Sequence, residues 1–135
     1  MQDRPTVSEL LDAVRGFLEH DAVAALDGTA KFHARVAANV LAIAARELEM
    51  ESTQLAAEWQ RLDALLGSLP LPADVSGQRA GLRGRTTELC ERIARGDADE
   101  EPFRAAVLAH VRATVCEKLA VANPKLLGAH DRTAR

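Results

Sequence analysis

The chain has 135 residues, 47% of them hydrophobic and 27% charged, with a formal charge of −3 at pH 7; this suits one globular domain rather than two and does not support a general nucleic-acid-binding field, although local basic stretches remain. Only 3% is aromatic, Tyr is absent, and alanine fills much of the apolar total, so an all-α, single-domain bundle of about five helices is expected over 1–127, with a mobile tail at 128–135. The longest apolar run, Val36 to Ala45, is interrupted by Asn39 and bounded by Arg35 and Arg46, which falls short of the about 20 residues of a membrane span.

In chain order, Thr6-Val7-Ser8-Glu9 has the spacing of a capping box. Val7, Leu10, Leu11, Val14, Phe17 and Leu18 then recur at helical spacing, predicting a first amphipathic helix that ends near His20. Asp27-Gly28-Thr29 is a turn, and the longest helix is expected from Thr29 or Ala30 to about Glu49. Its stripe is Phe32, Val36, Val40 and Ile43, with alanines around much of the remaining circumference, which suits a central position.

Glu51-Ser52-Thr53 offers a fresh N-cap for a third helix carrying Leu55, Trp59, Leu62 and Leu66, stopped by Gly67; a continuous second-plus-third helix is the alternative. Two prolines between Ser68 and Gly77 make the main loop. A fourth helix is expected over about Arg79 to Arg95, with Leu82, Thr86, Leu89, Cys90 and Ile93 inward and Gly96 as its stop. Asp97 or Asp99 then caps a fifth, whose stripe is Phe103, Val107, Val111, Thr114 and Val115 and which ends before Asn123-Pro124.

Candidate chemistry concentrates in Phe32 to Val40, where His33, Arg35 and Asn39 enter the most apolar helix. Asn39 stacks one turn above Arg35 and His33 flanks the opposite edge of the stripe. These residues either form a polar patch beside an apolar groove, able to hold a carboxylate, phosphate or partner backbone, or satisfy loop carbonyls and cap neighbouring helices. Arg79, Arg83, Arg85, Arg92 and Arg95 make the fourth helix basic beside the acidic run Asp97 to Glu101. That is either a phosphate or acidic-partner surface or a solvated helix face.

None of the four histidines, His20, His33, His110 and His130, stands at H-x-x-x-H spacing, so no metal and no cofactor are expected. His110, at the edge of the fifth stripe, reads as a packing residue. Cys90 reads as a small core residue and Cys116 as lying on the opposite face of the fifth helix from Phe103. The cysteines lack C-x-x-C spacing and fit a reducing cytosol, and Met1 to Pro5 lacks the pattern of a secretory signal. A cytoplasmic protein with neither membrane nor nucleic-acid partners is expected. No P-loop, G-x-G-x-x-G, G-x-S-x-G or kinase element is present, so no catalytic residue is assigned.

Arg4-Pro5-Thr6, Glu9-Leu10-Leu11, Ala25-Leu26-Asp27-Gly28, Phe32 through Asn39 and Arg46-Glu47-Leu48 resemble, in that order, a small bacterial family of uncharacterised all-α domains. Leu89 through Ile93 and Val121-Ala122-Asn123-Pro124-Lys125 extend the likeness over most of the chain. Members of that family are similar to proteins encoded beside aminoglycoside-phosphotransferase-like kinases and acyl-CoA dehydrogenases. The resemblance implies a non-catalytic accessory subunit that binds and stabilises or activates a phosphotransferase-fold kinase acting on hydroxyacyl-CoA-type substrates. It adds weight to Asp27, His33, Arg35, Asn39 and Asn123 as binding positions. The proline-containing loop and Glu51-Ser52-Thr53 depart from the family pattern. Two rivals remain: a helical domain binding a small acyl or phosphate ligand through Arg35, Asn39 and His33, and a homodimer built on the alanine-rich helix.

Overall fold

The computed structural model describes residues 3–128, so the expected mobile tail lies, beyond Gly128, outside the described residues. The fold is all-α, with no strand among the described residues: α1 (Val7–Gly16), a π-helical turn (Phe17–Ala22), α2 (Val23–Ala25), α3 (Gly28–Leu66), α4 (Val75–Ala94) and α5 (Phe103–Ala122). The chain divides into two compact units, one up to Met50 and one from Glu51, each taken by itself below.

In the first unit the capping box forms as the sequence predicts. The Glu9 amide donates to Thr6 Oγ1 at 3.2 Å, and the Thr6 amide donates to Glu9 Oε2 at 2.7 Å. Helix α1 does not end at His20. The ring nitrogen Nδ1 of His20 lies 2.9 Å from the Gly16 carbonyl and donates to it. A side chain entering the ladder in this way widens the next turn, and the Val23 amide reaches back five residues to the Leu18 carbonyl. The helical path closes only at Leu26, whose backbone is extended, and Gly28 at φ +56° makes the turn that only glycine takes without strain.

Helix α3 is the continuous alternative, 39 residues without a break at Glu51-Ser52-Thr53. No glycine or proline interrupts it there. Ser52 and Thr53 are exposed, so water satisfies their hydroxyls and the strong helix formers around them decide the conformation.

The second unit packs the end of α3 against α4 and α5 around Trp59, Leu62, Leu65, Leu82, Leu89 and Val107, with Leu55, Leu66, Ala98 and Phe103 at its edge. Gly67 at φ +100° ends α3 and Gly96 at φ +91° follows α4, both as expected. Helix α4 begins four residues earlier than its spacing suggested, because Asp74 caps it by accepting from the Gly77 amide at 2.8 Å. The proline-containing loop is fastened at three points. Trp59 Nε1 donates to the Leu69 carbonyl at 3.0 Å, the Leu69 amide to Asp63 Oδ1 at 3.2 Å, and Gln78 Nε2 to the Pro72 carbonyl at 2.8 Å.

Two inner faces differ from the expected stripes. On α4, Thr86, Cys90 and Ile93 are exposed and Arg85 takes an inward position between Leu82 and Leu89. On α5, Val111 and Val115 are exposed, and His110 and Val121 are buried with Val107. Cys90 is therefore a surface thiol rather than a core residue.

Candidate functional site

The polar residues of the long helix belong to the first unit. On α3 the buried positions are Ala34 and Ala38, whereas Phe32, Val36 and Val40 are 61%, 44% and 56% exposed. Alanine wins the inner face because its small side chain allows close helix approach, which leaves the larger side chains facing outward. Arg35 and Asn39, four residues apart, run along one flank of the outward stripe, and His33 lies on the other. All three are exposed, and the side chains of His33 and Asn39 have no hydrogen-bond partner among the described residues. Of the two readings of this block, the loop-capping one finds no bond to support it. The His33 ring instead leans on Phe32, with centroids 5.9 Å apart. Asp27 sits exposed in the turn before α3, where its carbonyl accepts from the Lys31 amide.

Helix α1 carries an outward apolar face of its own. Its polar edge, Ser8, Asp12 and Arg15, faces Ala42, Ala45, Arg46 and Glu49 of α3 across a narrow groove. Arg15 is held there between Asp12 and Glu19, each at 3.2 Å. Val7, Leu10, Val14 and Phe17 project roughly opposite that edge on a 100° wheel and are all close to half exposed or more. Leu48 of α3 is exposed as well. This unit thus presents long apolar side chains on both of its main helices while burying only two alanines among the described residues.

In the second unit Asn123 is a helix terminator. Its amide donates to the Leu119 carbonyl at 2.8 Å, its backbone leaves the helical region, and its side chain is exposed before Pro124. Asp27, His33, Arg35 and Asn39 share the first unit; Asn123 is in the second.

The basic fourth helix resolves into distinct roles that its sequence does not separate. Arg85 is 4% exposed; it pairs with Asp63, donates to the Gly67 carbonyl at 2.6 Å and lies 5.0 Å over the Trp59 ring. Arg92 donates to the Leu65 carbonyl at 2.9 Å and to Asp97, and sits 4.3 Å over Phe103. Both arginines satisfy carbonyls at the C-terminal end of α3, where a cation also meets the negative end of the helix dipole. The Arg85 hydrogen bond, with help from the Leu69 amide, holds the Asp63 carboxyl below the usual carboxylate range.

His110 is the buried titratable group that periodicity placed only at an edge. It is 6% exposed and its Nδ1 has no hydrogen-bond partner. Burial is the main cause that lowers its pKa. Arg61 adds to the shift, while Glu58 and Glu117 oppose it. Arg61 itself is clamped by Glu117 at 2.6 and 2.8 Å. Among the described residues no group of three or more His, Cys, Asp or Glu side chains is arranged to hold a metal ion, and no helix is long and apolar enough to cross a membrane.

Residues 24–126 match the family described as a domain of unknown function, DUF6285. The chain belongs to that family. The DUF6285 match takes in α3, α4 and α5 and leaves α1 outside it. No curated protein and no solved structure matches the chain.

Proposed function

We propose that this DUF6285 protein is a non-catalytic, cytoplasmic accessory subunit that binds and stabilises or activates a phosphotransferase-fold kinase acting on hydroxyacyl-CoA-type substrates. The observation that carries the reading is that both main helices of the first unit present outward apolar faces, Val7, Leu10, Val14 and Phe17 on α1 and Phe32, Val36 and Val40 on α3. On each helix these side chains form an exposed apolar face of the kind that marks a protein-interaction surface. His33, Arg35 and Asn39 on its flanks are polar anchors of the kind that fix orientation at the rim of such an interface. The choice of a kinase as partner rests on the resemblance described for the sequence, and a bound helical surface that orders a kinase lid raises the closed population without adding chemistry.

The test mixes the protein with a phosphotransferase-fold kinase of the kind the resemblance implies and reads both size-exclusion and ATP turnover on a hydroxyacyl-CoA. A joint peak with raised turnover is expected. The double variant Phe17→Ser, Phe32→Ser should abolish the joint peak, and Arg35→Ala or Asn39→Ala should weaken it by roughly three- to tenfold. Separate peaks at micromolar concentration would overturn the reading. A homodimer is the second reading, favoured by the same apolar surface; light scattering of the chain alone would show twice the monomer mass, lost in the double variant.

A further inference from the structure

The second unit holds a cleft that the apolar surface of the first does not involve. It opens between α3, α4 and α5 with a volume of about 510 Å³, within the about 300–1,000 Å³ of small-ligand sites. One face of α4 supplies Arg79, Arg83 and Thr86 at i, i+4 and i+7, over a floor made by Leu82 and by Leu55 of α3; Lys118 enters from α5.

Most cations around this cleft are already committed to carboxylates. Of the arginines on α4 and its cap, Arg79 is paired with Glu51, Arg85 with Asp63, and Arg92 and Arg95 with Asp97. Arg83 alone has no side-chain partner among the described residues, and Lys118, across the same cleft, has none either. Both are exposed. Two uncommitted cations of unlike reach, with the free Thr86 hydroxyl between them in sequence, make a donor set for tetrahedral oxygens. The Arg fork binds two of them and the ammonium acts as a point charge. Thr87 is not part of the set, because its hydroxyl proton goes to the Arg83 carbonyl at 3.0 Å.

Glu58 also lines the cleft, and its carboxylate restricts the ligand. A polyphosphate would place further negative charge near it, whereas a single phosphoryl group on a carbon skeleton would not. We propose that this cleft binds a phosphomonoester with a short apolar substituent, its phosphoryl oxygens held by Arg83, Lys118 and Thr86 and its carbon chain lying on Leu55 and Leu82.

The test uses the chain alone, so its outcome is independent of any kinase complex. Amide NMR shifts and calorimetry at low salt would follow titration with n-butyl phosphate, inorganic phosphate and pyrophosphate. Saturable shifts centred on 79–87 and on Lys118 are expected, with n-butyl phosphate bound most tightly. Arg83→Ala and Lys118→Ala should each weaken it roughly tenfold at unchanged melting temperature, since neither side chain is paired in the fold. Glu58→Gln should narrow the preference over pyrophosphate. Absence of saturable shifts at millimolar ligand would overturn the proposal. So would an equal loss in Arg112→Ala, an exposed cation outside the cleft lining, or binding to phosphatidic acid vesicles without binding to n-butyl phosphate.

Discussion

Arg85 shows at the scale of one residue how a charge can serve as a core side chain. Its guanidinium closes the end of α3 by binding the Gly67 carbonyl, pairs with Asp63 and covers the Trp59 ring. Arg85→Met keeps the stem but leaves the carbonyl without its donor and removes the stacked cation, so it should cost about 2 kcal/mol in urea unfolding. His110 gives a separate, pH-dependent signature. Its folded pKa lies below its ordinary value, so the unfolded chain binds the extra proton. Stability is therefore complete above about pH 6.5 and falls as pH drops from there toward the lowered folded value. His110→Leu should flatten that slope in urea unfolding curves recorded across about pH 5–7, the range in which histidines titrate. Asp63 acts lower on the scale, with stability lost only as pH falls through the carboxylate range, about 4 and below.

Elements were legible in the sequence wherever local chemistry decides them. The Thr6–Glu9 box, the Gly28 turn, the Gly67 stop and the all-α character all follow from residues near in sequence. The joint at Glu51-Ser52-Thr53 did not, because a cap signal inside strong helix formers competes with propagation, and propagation costs less than starting again. Faces were less legible than helices. An apolar stripe reports which side chains are oily, not which are inward. On α3 alanine packing reversed the expectation at Phe32, Val36 and Val40, and on α4 a carbonyl-rich helix end drew Arg85 inward. The candidate positions His33, Arg35 and Asn39 stand out as polar residues in an apolar helix, but their exposure is decided by which face of α3 the alanines take inward. The convergence of Arg83 with Lys118 had no sequence signature, since it joins α4 to α5.

For the whole molecule, stability is unevenly distributed. The unit up to Met50 buries Ala34 and Ala38 among the described residues, while the unit from Glu51 has a core anchored by Trp59, Leu62 and Leu89. Amides of α1 should therefore exchange with deuterium well before those of α4 and α5 in the isolated protein, as mass spectrometry of exchanged peptides would show. Protection of α1 on adding the proposed kinase partner, with α4 and α5 unchanged, is the expected pattern if the apolar face of α1 is the contact. Equal protection of all helices in the isolated chain would mean that the first unit is already as stable as the second.

Gly81 stands beneath Trp59, where an added Cβ would come within 2.7 Å of the indole ring. No flexible side-chain tip can absorb that overlap, because the ring is 5% exposed and tied to the Leu69 carbonyl. The two positions are therefore bound together in descent: a lineage that acquires alanine at 81 must first have traded the tryptophan for something smaller, and the reverse order passes through a poorly folded ancestor.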